Sequence, residues 1–247
     1  METTKKRARL ASQEGRRSGS KSAGASPSTD KIRSAYIEYL LTEGKQPASV
    51  YKFCLDLGIK EEAFYTHFGS FDAIERDIWA DFINKSISAL QSDKTFSTFT
   101  SREKILSFYY ALFEELKNNR SFALQQLGTF GHRRFSEGNF AKAIPELTPA
   151  YLKDFKSSFD SFVSATINLG KSNGEISARP YLDKIYPQLF WMHMGFLLLF
   201  WREDDSAGFE RTDAAIEKSV NLAFDLIGKG AIDTAFDFAK FLYQSKK

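Results

Sequence analysis

The chain has 247 residues, 43% of them apolar and 26% charged, with a formal net charge of +3, the composition of an ordinary soluble protein of one or two domains. A single cysteine, Cys54, excludes an internal disulfide and fits a reducing compartment. The most apolar run, 189–201, is 13 residues long and contains His193, short of the about 20 residues that span a bilayer.

Residues 1–29 are rich in Ser, Gly, Ala, Lys and Arg and carry a net charge of +5, with Leu10 as the one sizeable apolar side chain. A disordered basic tail is expected there, with no apolar core of a secretory signal. Next, Ile32, Ala35, Tyr36, Tyr39 and Leu40 form the stripe of a one-faced helix, stopped by Gly44. Ser49 is a suitable N-cap for a short second helix with Val50, Phe53, Cys54 and Leu57 inward. Buried and inert is the expected state of Cys54. Gly58 supplies a tight turn, and a third helix is expected over 61–67 with Phe64 and Phe68 inward. Helices at this spacing form the unit that lays its second helix in a DNA major groove.

Charge runs against that reading. Across 30–75 the bases Lys31, Arg33, Lys45, Lys52 and Lys60 face eight acids, so the head carries −3. The basic balance comes from the tail.

Beyond the head, a connecting helix is expected over 71–93 with Ile74, Ile78, Phe82 and Ile83 inward, then a polar linker over 93–101. Residues 102–118 are strongly periodic, and 121–135 read as another helix loosened by Gly128 and Gly131. Pro145 and Pro149 mark a loop. Thr148 is expected to cap a helix running to 172, ended by Asn173 and Gly174. Pro180 is expected to open the next helix, which ends near Asp204; 212–227 and 231–244 are the last two. No period-two strand pattern and no repeat appears, so the fold class expected is all-α.

His67, His132 and His193 share no metal-ligand spacing, and no phosphate loop or nucleophile elbow is present. The carboxylate pairs Glu114–Glu115 and Asp204–Asp205 read as solvated surface. No cofactor and no enzymatic activity are expected.

The run Phe64–Tyr65–Thr66–His67–Phe68–Gly69, with Ile32, Ala35, Tyr36, Leu40 and Gly44, Ser49–Val50, Gly58–Ile59 and Asp72–Ala73–Ile74, resembles the head of TetR-family transcriptional regulators. The resemblance implies a helix-turn-helix DNA-binding domain over 30–75 and a helical ligand-binding and dimerisation domain over 76–247, working in the cytoplasm. Carried over, Tyr65 and His67 would contact the DNA backbone, with Ser49 and Lys52 beside them. Glu61, Glu62, Ala63 and Thr66 would take base-reading places. Lys60 stands where the family usually has a serine-like cap, and Phe71 where it often has a phosphate-holding lysine.

The resemblance also implies an effector site among helices of the body. The aromatic stripes Phe108, Tyr109, Phe113, Phe122, Phe130, Phe155, Phe159 and Phe162 point to an apolar effector, with Asn119, Arg120, His132 and Arg133 near enough in sequence to orient a head group. Two late helices, with Tyr186, Phe190, Met194, Leu197, Leu198 and Trp201 on one and Ala215, Ile216, Ser219, Val220, Ala223 and Ile227 on the other, would form a homodimer interface. The partner expected is double-stranded operator DNA. The alternative is a protein that keeps the fold, has lost DNA reading and binds a lipid-like ligand.

Overall fold

The computed structural model describes residues 27–128, 148–179, 185–228 and 230. The basic segment 1–26, the segment containing Phe130, His132 and Arg133, Pro180, and the expected last helix over 231–244 lie outside the described residues.

The head is built from α1 (Thr29–Glu43), α2 (Val50–Leu57) and α3 (Glu61–Tyr65). Ser28 and Ser49 cap α1 and α2, each side-chain oxygen accepting a backbone N–H. Gly44 and Gly58 end them at φ 71° and 72°, a left-handed turn that a Cβ would strain. Two expectations move by a few residues. Ser28 and Thr29, assigned to the tail, cap and begin α1, and α3 stops at Tyr65, leaving Thr66 and His67 in the turn that follows. That turn carries Phe68 back under the head, where it is buried with Phe64.

The connecting helix α4 (Phe71–Ser92) is capped by Ser70 and buries Ile74, Ile78, Trp79, Phe82 and Ile83. Its first residue belongs to the head. Phe71 stacks on Tyr36 at 5.5 Å and meets Phe53 and Phe64 edge-on at 5.6 and 5.9 Å. Residues 94–98, expected to be a plain linker, form a 3-10 turn closed by the Asp93 carboxylate and anchored by buried Phe96.

α5 (Ser101–Asn118) opens with a reciprocal capping box between Thr100 and Glu103. α6 (Arg120–Leu127) follows after one residue. α7 (Lys153–Ser172) is entered through a 3-10 turn over Ala150–Leu152. Thr148 does not cap it. Its hydroxyl accepts the indole N–H of Trp191 at 3.1 Å instead. α8 (Tyr186–Glu203) has Pro187 in its first turn, where a missing N–H is harmless. α9 (Glu210–Ile227) completes the described helices.

α5 and α7 both pack on α4; α8 lies on α7, α9 on α5, and α8 and α9 on each other. The rings expected to lie inward interlock across these contacts, Phe108 with Phe162 at 4.7 Å and Phe159 with Trp191 at 5.6 Å. At the end of α7 the Glu175 carboxylate accepts the N–H groups of Ser101 and Arg102, at 2.7 and 3.0 Å, tying that end to the start of α5. Among the described residues there is no named strand, only an isolated bridge between Ile176 and Gly228. No described helix is long and apolar enough to cross a membrane.

Candidate functional site

On the head, Ser49, Lys52, Lys60, Glu62, Tyr65 and Thr66 are exposed around α2 and α3, while Glu61 and Ala63 are half-buried. Several of these are already engaged. The Ser49 hydroxyl caps α2, and the Thr66 hydroxyl donates back to the Glu62 carbonyl at 2.8 Å. His67 is half-buried, its Nδ1 3.1 Å from the Thr29 hydroxyl, so its ring is fastened to the start of α1. Tyr65, 54% exposed, rests edge-on against Phe64. No side chain caps α3. Glu61 and Glu62 in its first turn place negative charge where the unsatisfied N–H groups point, which gives these acids a local structural role.

Three further findings shape this surface. Cys54 is buried, and burial together with nearby Glu61 pushes its thiol pKa up, away from reactivity. Phe71 is committed to the aromatic core of the head. Tyr51 and Leu55 are 63% and 65% exposed. They lie four residues apart, opposite the inward stripe of α2, and that residual apolar face was the sequence signal that could have found them.

In the body, Phe108, Tyr109, Phe113, Phe122, Phe155, Phe159 and Phe162 are all buried. They form the packed interior. Phe122 and Phe155 close on Trp79, and Phe113 on Trp201. Phe130 and His132 fall outside the described residues. Arg120 is not available to a ligand head group. It donates to the carbonyls of Trp201, Arg202 and Asp204 at the end of α8, between the rings of Trp201 and Phe209. Asn119 is likewise turned back onto the Glu115 carbonyl at 3.1 Å.

Tyr109 takes part in a polar chain. Its hydroxyl donates to Nδ1 of His193 at 3.0 Å, Nε2–H of His193 donates to Ser219 Oγ at 2.7 Å, and Ser219 donates to the Ala215 carbonyl at 2.5 Å. Burial lowers the His193 pKa to about 4 and raises that of Tyr109, so the imidazole is neutral. Because Ser219 spends its own proton on the Ala215 carbonyl, the assigned tautomer carries its proton on Nε2.

Among the described residues, the hollows that open on the body include the following two. One, of about 520 Å³, lies between α4 and α7 and includes Phe162, Phe96 and Lys104. The other, of about 280 Å³, lies on α8 and α9 and is lined by Tyr186, Leu189, Phe190, His193 and Leu226. Around it Ile185, Leu189, Phe196, Leu222 and Leu226 are 43–60% exposed. Of the apolar residues that mark α8 in the sequence, Tyr186, Phe190, Met194, Leu197, Leu198 and Trp201 are buried within the chain's own body. Among the described residues no group of three or more His, Cys, Asp or Glu could hold a metal ion.

A family model for the "Tetracyclin repressor-like, C-terminal domain" matches residues 104–242, more than half of the chain. The chain belongs to the TetR family. The match lies wholly in the body, whereas the TetR resemblance read from the sequence lies in the head, so two separate regions agree. Among solved structures, a TetR-family transcriptional regulator from Syntrophomonas wolfei has a TM-score of 0.59 and 16% identity, covering 79% of this chain and 94% of its own. A regulatory protein of the TetR family from Rhodococcus RHA1 has a TM-score of 0.49 and 16% identity, covering 82% and 98%. No curated protein sequence matches the chain. TetR proteins are transcriptional regulators and not enzymes.

Proposed function

We propose that this TetR-family protein is a ligand-responsive transcriptional regulator that binds operator DNA as a homodimer in the cytoplasm. The observation that supports the reading is that Lys52, Glu62, Tyr65 and Thr66 are all exposed on and beside α2 and α3, the two helices with which a helix-turn-helix approaches a major groove. Tyr65 and Lys52 suit phosphate, and a carboxylate such as Glu62 can accept from cytosine N4. The head itself is net negative, so the cations between Lys5 and Lys21 supply much of the attraction to the duplex. Two subunits pair through the exposed apolar face of α8 and α9, the same patch on each copy. Effector binding in the body changes the separation of the two heads, which requires different effector affinity in the two arrangements.

A second reading is a TetR-fold protein that has lost DNA reading and binds an apolar, lipid-like ligand. It is favoured by Phe71, which sits in the head's core where a lysine would hold phosphate. Binding of the full chain to the DNA upstream of its own gene, measured by fluorescence anisotropy across a salt series, separates the two. The regulator gives a sequence-specific complex that weakens as salt rises. Weak binding without sequence preference that disappears when residues 1–26 are deleted removes the regulator in favour of the second reading.

A further inference from the structure

We propose that the groove between α4 and α7 takes an anionic amphiphile, and that Lys104 selects its charge. The proposal rests on the reading of the body as the effector-binding part. At about 520 Å³ the groove falls within the range of small-molecule sites, about 300–1,000 Å³. Its apolar wall comes from Ile87 of α4, Phe96 of the 3-10 turn, and Phe162 and Leu169 of α7, with Ser158 adding a hydroxyl.

Lys104 lines this groove and is only 7% exposed. Its ammonium donates to the carbonyls of Phe99 and Ser97 and lies 5.3 Å from the centre of the Phe96 ring. Those two acceptors engage two of its three N–H donors. Among the described residues no carboxylate lies within ion-pair distance of it. Several other cations of the body have a carboxylate partner, Lys156 on α7 with Asp160, Lys117 with Glu114 and Arg102 with Asp225. Arg120 is likewise held by carbonyls but is closed between the rings of Trp201 and Phe209 and lines neither hollow. With two carbonyls and a ring face around it and no carboxylate in direct contact, the desolvation of the Lys104 ammonium is only partly offset. A carboxylate entering the groove supplies the counter-charge and accepts the remaining N–H, while its apolar portion covers Ile87, Phe162 and Leu169. A neutral or cationic amphiphile of equal length gains only the apolar part.

The test is calorimetric titration of the full chain, without DNA, with decanoate, decanol and decyltrimethylammonium below their micelle concentrations. Decanoate is expected to bind one site at least about tenfold more tightly than decanol, in line with a charge-assisted hydrogen bond. Lys104→Met abolishes that preference and leaves decanol binding in place, whereas Lys104→Arg retains it. Ala165→Trp, at an exposed position on the groove wall, blocks both ligands. A lysine that only fastened the 3-10 turn would alter thermal stability in Lys104→Met without touching the decanoate-to-decanol ratio. Equal binding of the two in the native chain, no binding of either, or decanoate binding unchanged in Ala165→Trp overturns the proposal. If decanoate binds as expected and the chain fails to bind its upstream DNA, the groove stands and the regulator reading falls; specific DNA binding with no decanoate binding gives the reverse.

Discussion

The side-chain amide of Gln125 donates a 3.1 Å hydrogen bond to the main-chain oxygen of Leu40. It joins α6 of the body to the last turn of α1 in the head. The same oxygen accepts the N–H of Gly44 at 2.8 Å, so both of its lone pairs are used. Gln125→Ala therefore leaves Leu40 with one partner. It should lower unfolding stability by about 1 kcal/mol in urea titration and quicken amide exchange in the last turn of α1. Unchanged exchange there would show that other contacts hold the head.

Phe71→Lys exchanges a ring of the head core for a cation at the place where TetR relatives often carry lysine. Losing its contacts with Tyr36, Phe53 and Phe64 should cost about 2 kcal/mol of stability. In return, DNA affinity should rise and the salt slope steepen by about one counterion per subunit. An anisotropy salt series in which the slope stays fixed would place this residue away from phosphate.

Leu189 and Leu226 are 45% and 48% exposed on the α8–α9 face. Being outside the chain's own core, they can be changed with little effect on its folding. The double variant Leu189→Glu, Leu226→Glu should sediment as the 28.1 kDa chain, while the native protein sediments at about twice that mass. A native protein that is already monomeric at micromolar concentration refutes the interface.

Burial holds the pKa of His193 at about 4, against 6.5 for the free group. Between these values the unfolded chain binds more protons than the folded one. The stability contributed by the neutral ring is thus fully present above pH 6.5 and is lost as pH falls towards 4. It amounts to roughly 3 kcal/mol, at about 1.4 kcal/mol for each tenfold in proton affinity. In His193→Gln the pH dependence of unfolding across that window should flatten by this amount.

A Cβ on Gly170 would lie 2.6 Å from both the Ile176 Cδ1 and the Ser101 Oγ. Ser101 is itself buried and donates to the Thr166 carbonyl, so it has little room to move. Gly170→Ala, ordinarily favourable in a helix, should here destabilise by about 1–3 kcal/mol in thermal unfolding.

The head was legible because local chemistry determines it. Ser49 and Gly58 cap and close at the predicted positions, and the apolar stripes of α1 and α2 face inward. Three features were not legible, for different reasons. The Thr148 hydroxyl suits a cap, yet its partner is Trp191, 43 residues away, and no local rule weighs such a bond. In 94–98 a single ring, Phe96, turns a polar stretch into an anchored turn. The aromatic stripes of α5 and α7 showed which way the rings point, but inward is compatible with a cavity or a close-packed core. The facing helices pack most of these rings together, Phe108 and Phe162 lying only 4.7 Å apart, while Phe162 also borders the groove between α4 and α7. Which side of α8 faces its own body was open for a related reason. A helix apolar around much of its circumference does not say which side its own body takes.

The packing of Phe71 bears on how this protein can change. The floor of the head is borrowed from α4, which also carries the body's central contacts with α5 and α7. The head is therefore not an interchangeable cartridge: severed before α4, it would lose a wall of its own interior. New recognition must come from the outward residues of α2 and α3, and the rings beneath them leave that substitution space narrow.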